Sequence, residues 1–257
     1  MNSKYIHKID KSKIPTCDIM GVKIAAINMA WLLEFTQKNI KKLSGDYICV
    51  ANVHTTVTAY EEEDYREIQN EGIMAIPDGG PLSSIGNKRG FCTMARTPGP
   101  SYMEAVMNMS VQNGWRHFFY GSTDDTLGKL RGRLEETFPG VQIVGMCSPP
   151  FRELTEIENI EIINKINKAE PDFVWVGLGA PKQERWMSEH QGKIKGLMVG
   201  VGAGFDYLTG NINRAPKWMQ EHNLEWLFRL MQEPRRLFYR YWHTNLQFIW
   251  HACLKGE

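Results

Sequence analysis

The chain has 257 residues, a hydrophobic fraction of 42%, a charged fraction of 23% and a formal net charge of +1. Such a composition suits one large globular domain, or one domain with an appendage, and excludes both a disordered chain and a disulfide scaffold. The balanced charge gives no overall pull toward nucleic acid. Five cysteines without a CxxC pair read as reduced cytosolic thiols. The opening MNSKYIHKIDKSKIPTCDIM lacks the apolar centre of a signal peptide, and no stretch approaches the ~20 apolar residues that span a bilayer. A cytoplasmic chain is expected, with any membrane contact peripheral.

Apolar runs of strand length recur at Tyr47–Ala51, Ile73–Ile76, His117–Tyr120, Gln142–Met146, Phe173–Val176 and Leu197–Val201. Helical spacing lies between them, as in Leu127, Leu130, Leu134 and Phe138, or Ile157, Ile160, Ile163 and Ile166. Capping boxes are predicted at Ser101 with Glu104 and at Thr155 with Glu158. This alternation predicts an α/β fold over residues 1–211, a Rossmann-like, mainly parallel sheet with helices on both faces. Ligands of such sheets bind at the carboxyl ends of the strands.

Those ends carry small and polar residues. Asn52 and Thr55 follow the first run, and either line a sugar pocket or cap the next helix. Asp78, followed by two glycines, is placed to act as a general base or as a turn cap. Arg96 precedes a Pro–Gly turn, where it meets an anion or a surface carboxylate. Gly121, with Ser122 and Thr123, offers a helix N-terminus to a phosphate or caps it from within. The segment FVWVGLGAPKQERWM joins a strand to a tight turn at Gly179 and a polar helix start at Gln183, a natural site for phosphate or sugar oxygens. Asp206 follows a glycine-rich turn, where it binds a ribose or fixes a loop.

From residue 212 the character changes to a helical appendage. Pro216 and Pro234 suit first helical turns. Leu237, Phe238, Tyr241, Trp242, Phe248, Ile249 and Ala252 recur at helical spacing as one stripe, with Arg229, Arg235, Arg236 and Arg240 nearby. That pattern fits a membrane interface, or a helix packed on the core or on another copy of the chain.

HExxH, GxxxxGK[ST], GxSxG, Asp–x–Asp and zinc-type Cys/His spacings are all missing, so no cofactor and no metal are expected. No GxGxxG opens a helix, which argues against a dehydrogenase. PDGGPL, Arg96, YGSTDDTLGKL, GLGAPKQERWM, GVGAGFDYLTGNINRAPKWMQ and EWLFRLMQEPRRLFYRY, in this order, resemble the WecG/TagA/CpsF glycosyltransferases of bacterial cell-surface polymer synthesis. The resemblance covers roughly Ile19 to Tyr241. It implies inverting, metal-independent transfer of an N-acetylmannosamine-type sugar from a UDP donor to N-acetylglucosamine on a polyprenyl diphosphate. On it, Asp78 matches the general base, Arg96 the group that neutralises departing UDP, Gln183 a donor or acceptor contact, and Asn52 a pocket residue. The four C-terminal arginines match a basic appendage that docks on the inner membrane face and closes the site. Several relatives have threonine where this chain has Val50, which leaves UDP-glucose or UDP-galactose as an alternative donor. A nucleotide-sugar-binding subunit without turnover is the alternative class, and a homo-oligomer is left open.

Overall fold

The computed structural model describes residues 5–222 and 224–255. The side chains of Glu221, Arg236, Arg240 and Cys253 lie outside the described part. Eight strands form one sheet: β1 Thr16–Ile19, β2 Val22–Ala25, β3 Tyr47–Ala51, β4 Met74–Pro77, β5 Arg116–Gly121, β6 Gln142–Cys147, β7 Phe173–Gly177 and β8 Leu197–Gly200. Their order is β1-β2-β4-β3-β8-β7-β5-β6, parallel except for the β1–β2 hairpin. The α/β reading from sequence holds, and all six expected runs lie within one residue of an observed strand at each end. One of them, His117–Tyr120, widens by one residue on each side.

Side-chain alternation explains why the inner parallel strands are apolar throughout. In β3, Tyr47, Cys49 and Ala51 enter one core while Ile48 and Val50 enter the other. In β7, Val174 and Val176 face the first and Phe173 and Trp175 the second. A strand covered on both faces has no polar side to show.

The first core is roofed by α2 (Val53–Glu61), α3 (Glu63–Glu71), α4 (Gly80–Lys88), α7 (Glu156–Lys168) and α8 (Lys182–Glu189). The second is roofed by α1 (Met29–Leu43), α5 (Gly99–Asn113), α6 (Asp124–Thr137) and α9 (Gly204–Thr209). The chain then forms α10 (Lys217–Glu221), α11 (Glu225–Gln232) and α12 (Pro234–Phe248), which runs on as a π-helical segment over Ile249–Lys255.

Several local expectations change. Thr155 and Glu158 form the capping box at α7, but α5 begins at Gly99 with Pro98 as its N-cap. Ser101 and Glu104 instead bind Arg214, whose Nη2 donates to Ser101 Oγ at 2.6 Å and whose Nη1 lies 3.5 Å from Glu104. In α7 the inward residues are Ile162, Ile163 and Ile166, while Ile157 and Ile160 are exposed beside the edge strand β6. The sequence also reads the acidic run Glu61–Asp64 as a solvated helix face, whereas α2 ends and α3 begins within it, and Arg185 pairs there with Glu62 at 2.6 Å and Asp64 at 2.5 Å.

The C-terminal stripe divides in two. Leu237, Phe248 and Ala252 are buried, with Phe248 3% exposed and part of the first core. Phe238, Trp242 and Ile249 are exposed, Trp242 by 63%. Residues one position apart are rotated by about 100° on a helix, so the single apolar band has an inner edge and an outer one.

Candidate active site

Backbone hydrogen bonds bring Asp78 and Arg96 together at the end of β4. The Asp78 N–H donates to Ala51 O at 2.7 Å, fixing the residue across from the end of β3. Thr97 N–H donates to Pro77 O at 2.6 Å, and Ala95 N–H to Ile27 O at 2.9 Å. Arg96 lies between these two anchors, so its side chain is delivered beside Asp78. Arg96 Nη2 is 4.0 Å from Asp78 Oδ1. Asp78 is not the cap of α4, whose N-cap is Gly79 with no side-chain bond.

The appendage completes the group. Arg96 Nη2 donates to Glu225 of α11, and its Nη1 to Gln220 O at 3.3 Å. Arg229 places its guanidinium 5.6 Å from the centre of the Tyr207 ring and 3.9 Å from Glu233. Burial pushes the Asp78 carboxyl up to about 7; Arg96 opposes that shift, Glu225 adds to it, and Arg229 and Arg214 oppose it. The Nε atoms of Arg96, Arg214 and Arg229 are buried without an acceptor. A carboxyl that exchanges its proton near neutrality, with one guanidinium 4.0 Å away and two more adding positive potential, can take a proton beside a place that holds an anion.

Of the other sequence candidates, Asn52 and Thr55 form a reciprocal capping box at α2, with Thr55 N–H donating to Asn52 Oδ1 at 3.2 Å. Gly121 has φ +119°, and a Cβ there would lie 2.5 Å from Gly177 O. Thr123, not a free helix end, caps α6 by accepting from Thr126 N–H. Gly179 has φ +77° and open space where a Cβ would stand. Asp206 accepts from Asn211 Nδ2 at 3.2 Å, which ties down the loop after α9.

Gln183 is buried rather than open to a ligand. Its Oε1 accepts from Gly202 N–H at 3.0 Å and its Nε2 donates to Glu184 at 2.8 Å. The Glu184 carboxyl is itself fully buried and its proton affinity raised by that burial. Gln183 thus supports the Gly202 turn from beneath. Val50 is also buried, its methyl groups 3.3 Å from where a Cβ on Gly99 would lie.

Arg229 faces the site and Arg235 is exposed; the side chains of Arg236 and Arg240 are outside the described residues. Arg214, Tyr207, Gln220 and Glu225 were not picked out from sequence, although all lie in or beside the long C-terminal motifs. Density of those motifs was the one available signal. Among the described residues no three His, Cys, Asp or Glu side chains gather as a metal site would require. No helix among them is long and apolar enough to cross a membrane.

The model of the glycosyl transferase WecG/TagA/CpsF family matches residues 17–256. Three similar proteins share one name, N-acetylglucosaminyldiphosphoundecaprenol N-acetyl-beta-D-mannosaminyltransferase. One is from Bacillus subtilis (strain 168), 26% identical over 81% of this chain and 80% of that protein. A second, from Bacillus spizizenii, is 28% identical over 75% and 73%. A third, from Staphylococcus aureus (strain MW2), is 23% identical over 89% of each. With nearly its whole length matched and a carboxylate and guanidinium joined at the carboxyl edge of its sheet, the chain belongs to the WecG/TagA/CpsF family of glycosyltransferases.

Proposed function

We propose that the protein transfers N-acetylmannosamine from UDP to the N-acetylglucosamine of a polyprenyl-diphosphate carrier, with inversion and without a metal ion. The observation that carries the mechanism is the convergence of Asp78 and Arg96 at the end of β4. The sugar and the acceptor rest on the relatives' names. Those names specify a β-D product, which requires inversion if the donor is the α-linked nucleotide sugar.

In a single displacement, the acceptor hydroxyl attacks the anomeric carbon as Asp78 takes its proton, and the bond from that carbon to UDP breaks. Arg96 receives the charge that develops on the departing diphosphate, in the role a divalent ion fills elsewhere; Arg214 and Arg229 add positive potential around it. Between the ends of β4 and β5 lie β3, β8 and β7, so the rim from Asp78 to Gly121 spans four strand spacings, roughly 19 Å. That length suits an elongated donor lying across the edge, with Gly179, where a Cβ would meet open space, leaving its path free of a side chain.

The exposed aromatics of the appendage, Trp218, Trp226, Phe238, Trp242 and Trp250, with Arg235 beside them, support peripheral docking on the inner face of the cytoplasmic membrane, where a lipid-linked acceptor resides. Mass spectrometry of the product from mixed UDP-sugars and a short-chain lipid diphosphate N-acetylglucosamine tests the assignment. Incorporation of N-acetylmannosamine is expected; incorporation of glucose or galactose alone would overturn the donor. Asp78→Asn should lower kcat by about 10²–10⁴-fold while UDP-sugar binding persists, and retained turnover removes Asp78 as the base.

A further inference from the structure

The contact between Arg96 and Glu225 joins the sheet domain to α11 across 129 positions of sequence, and the displacement described above makes no use of it. Arg96 divides its donors unequally. Nη2 serves Glu225 and stands 4.0 Å from Asp78, Nη1 serves the Gln220 carbonyl, and Nε is left without an acceptor. A guanidinium shared with no other acid would close on Asp78 as a fork, giving it two charge-assisted hydrogen bonds and lowering its proton affinity. Glu225 occupies the amino group that would make that approach.

We propose that Glu225 is a positioning residue of the transfer reaction: it draws the Arg96 guanidinium away from Asp78, so that Asp78 remains free to accept a proton, and it makes this arrangement depend on the docking of α11. The inference rests on the reading of Asp78 as base. Five groups face Asp78: Arg96 from the loop before α5, Arg214 from the segment before α10, Tyr207 from α9, and Glu225 and Arg229 from α11. Of these five, Glu225 alone is acidic with a carboxylate. Without it, burial alone opposes the three guanidiniums that act on Asp78.

The test uses the full chain with Glu225→Gln, which keeps the size and hydrogen-bonding capacity of the side chain, and Glu225→Asp, which keeps the charge. One readout is the titration of the Asp78 carboxyl by ¹³C NMR, its signal assigned with Asp78→Asn. The other is kcat and donor KM with the short-chain lipid acceptor, and thermal unfolding checks that each variant folds. In Glu225→Gln the Asp78 midpoint should fall by about one pH unit, a tenfold loss of proton affinity. Its kcat should fall on the order of 10²-fold, with donor KM changed much less. Glu225→Asp should recover most of both. An Asp78 midpoint that stays in place in Glu225→Gln overturns the proposal, as does a kcat that stays in place. If the wild-type chain transfers no sugar, the reaction assignment fails, whereas the titration still decides whether Glu225 governs Asp78.

Discussion

Asp78 holds its proton to a higher pH than an ordinary carboxylate, and the fold bears the cost. Its folded value of about 7 lies above the ~3.9 of an unfolded aspartate. Between those values the folded chain keeps a proton that the unfolded chain releases, so this group's contribution to stability is complete below ~4 and declines as pH rises toward 7. The loss is at most about 1.4 kcal/mol per pH unit, less what water recovers at a side chain that is 25% exposed. Asp78→Asn should therefore unfold at a higher temperature than the wild type at pH 8, with the difference closing at pH 4, as read by calorimetry. A variant no more stable at pH 8 would mean that the carboxylate is well solvated there. Gln183 shows the opposite economy among residues: both ends of its amide are committed to the protein, so its importance to the site runs through the Gly202 turn it supports.

At the scale of elements, the ends of β5 and β7 approach so closely that only glycine fits between them. Gly121→Ala would set a methyl group against the Gly177 carbonyl and force a side chain onto φ +119°. A loss of roughly 2–4 kcal/mol is expected by urea unfolding; a loss under 1 kcal/mol would show that the turn readjusts freely. Of the parallel strands β3 to β8, the inner five were legible because burial on both faces leaves them continuously apolar, and the edge strand β6 because its half-covered run is still largely apolar. The β1–β2 hairpin was not. Thr16–Ile19 and Val22–Ala25 are short and alternate exposed with buried residues, and their turn uses Met20 at φ 54° before Gly21, without the Asn–Gly that marks such turns. Likewise Ser101 and Glu104 have capping-box spacing, but Pro98 and Gly99 start the helix earlier and Arg214 claims both side chains. Spacing along the chain cannot show a partner that arrives from more than a hundred residues away.

For the molecule as a whole, the same limit governed the site. Asp78 was legible as a candidate because it ends a strand before two glycines and Arg96 because it stands just before a Pro–Gly turn, but their roles came only with the resemblance to the family. Glu225 was not legible, because its meaning comes from where α11 lands on the sheet domain. The two edges of the α12 band give the appendage a buried face and an exposed one, and the membrane docking proposed for the exposed face has a direct test. Replacing Phe238 and Trp242 with serine should weaken binding to anionic vesicles at least tenfold, since each exposed aromatic loses apolar area that a bilayer interface would cover. Stability should change by no more than about 0.5 kcal/mol. Vesicle binding left intact would remove this face from the membrane contact, and a large loss of stability would place it in the core.

Glu225 and Trp226 are neighbours in the first turn of α11, yet one grips Arg96 and the other, in edge contact with Tyr241, reaches solvent. A helical turn is stiff, so a force that lifts or presses the indole moves the carboxylate by a similar distance. On the proposed reading of Asp78, one hydrogen-bonded turn thus links an exposed indole to the carboxylate that holds Arg96.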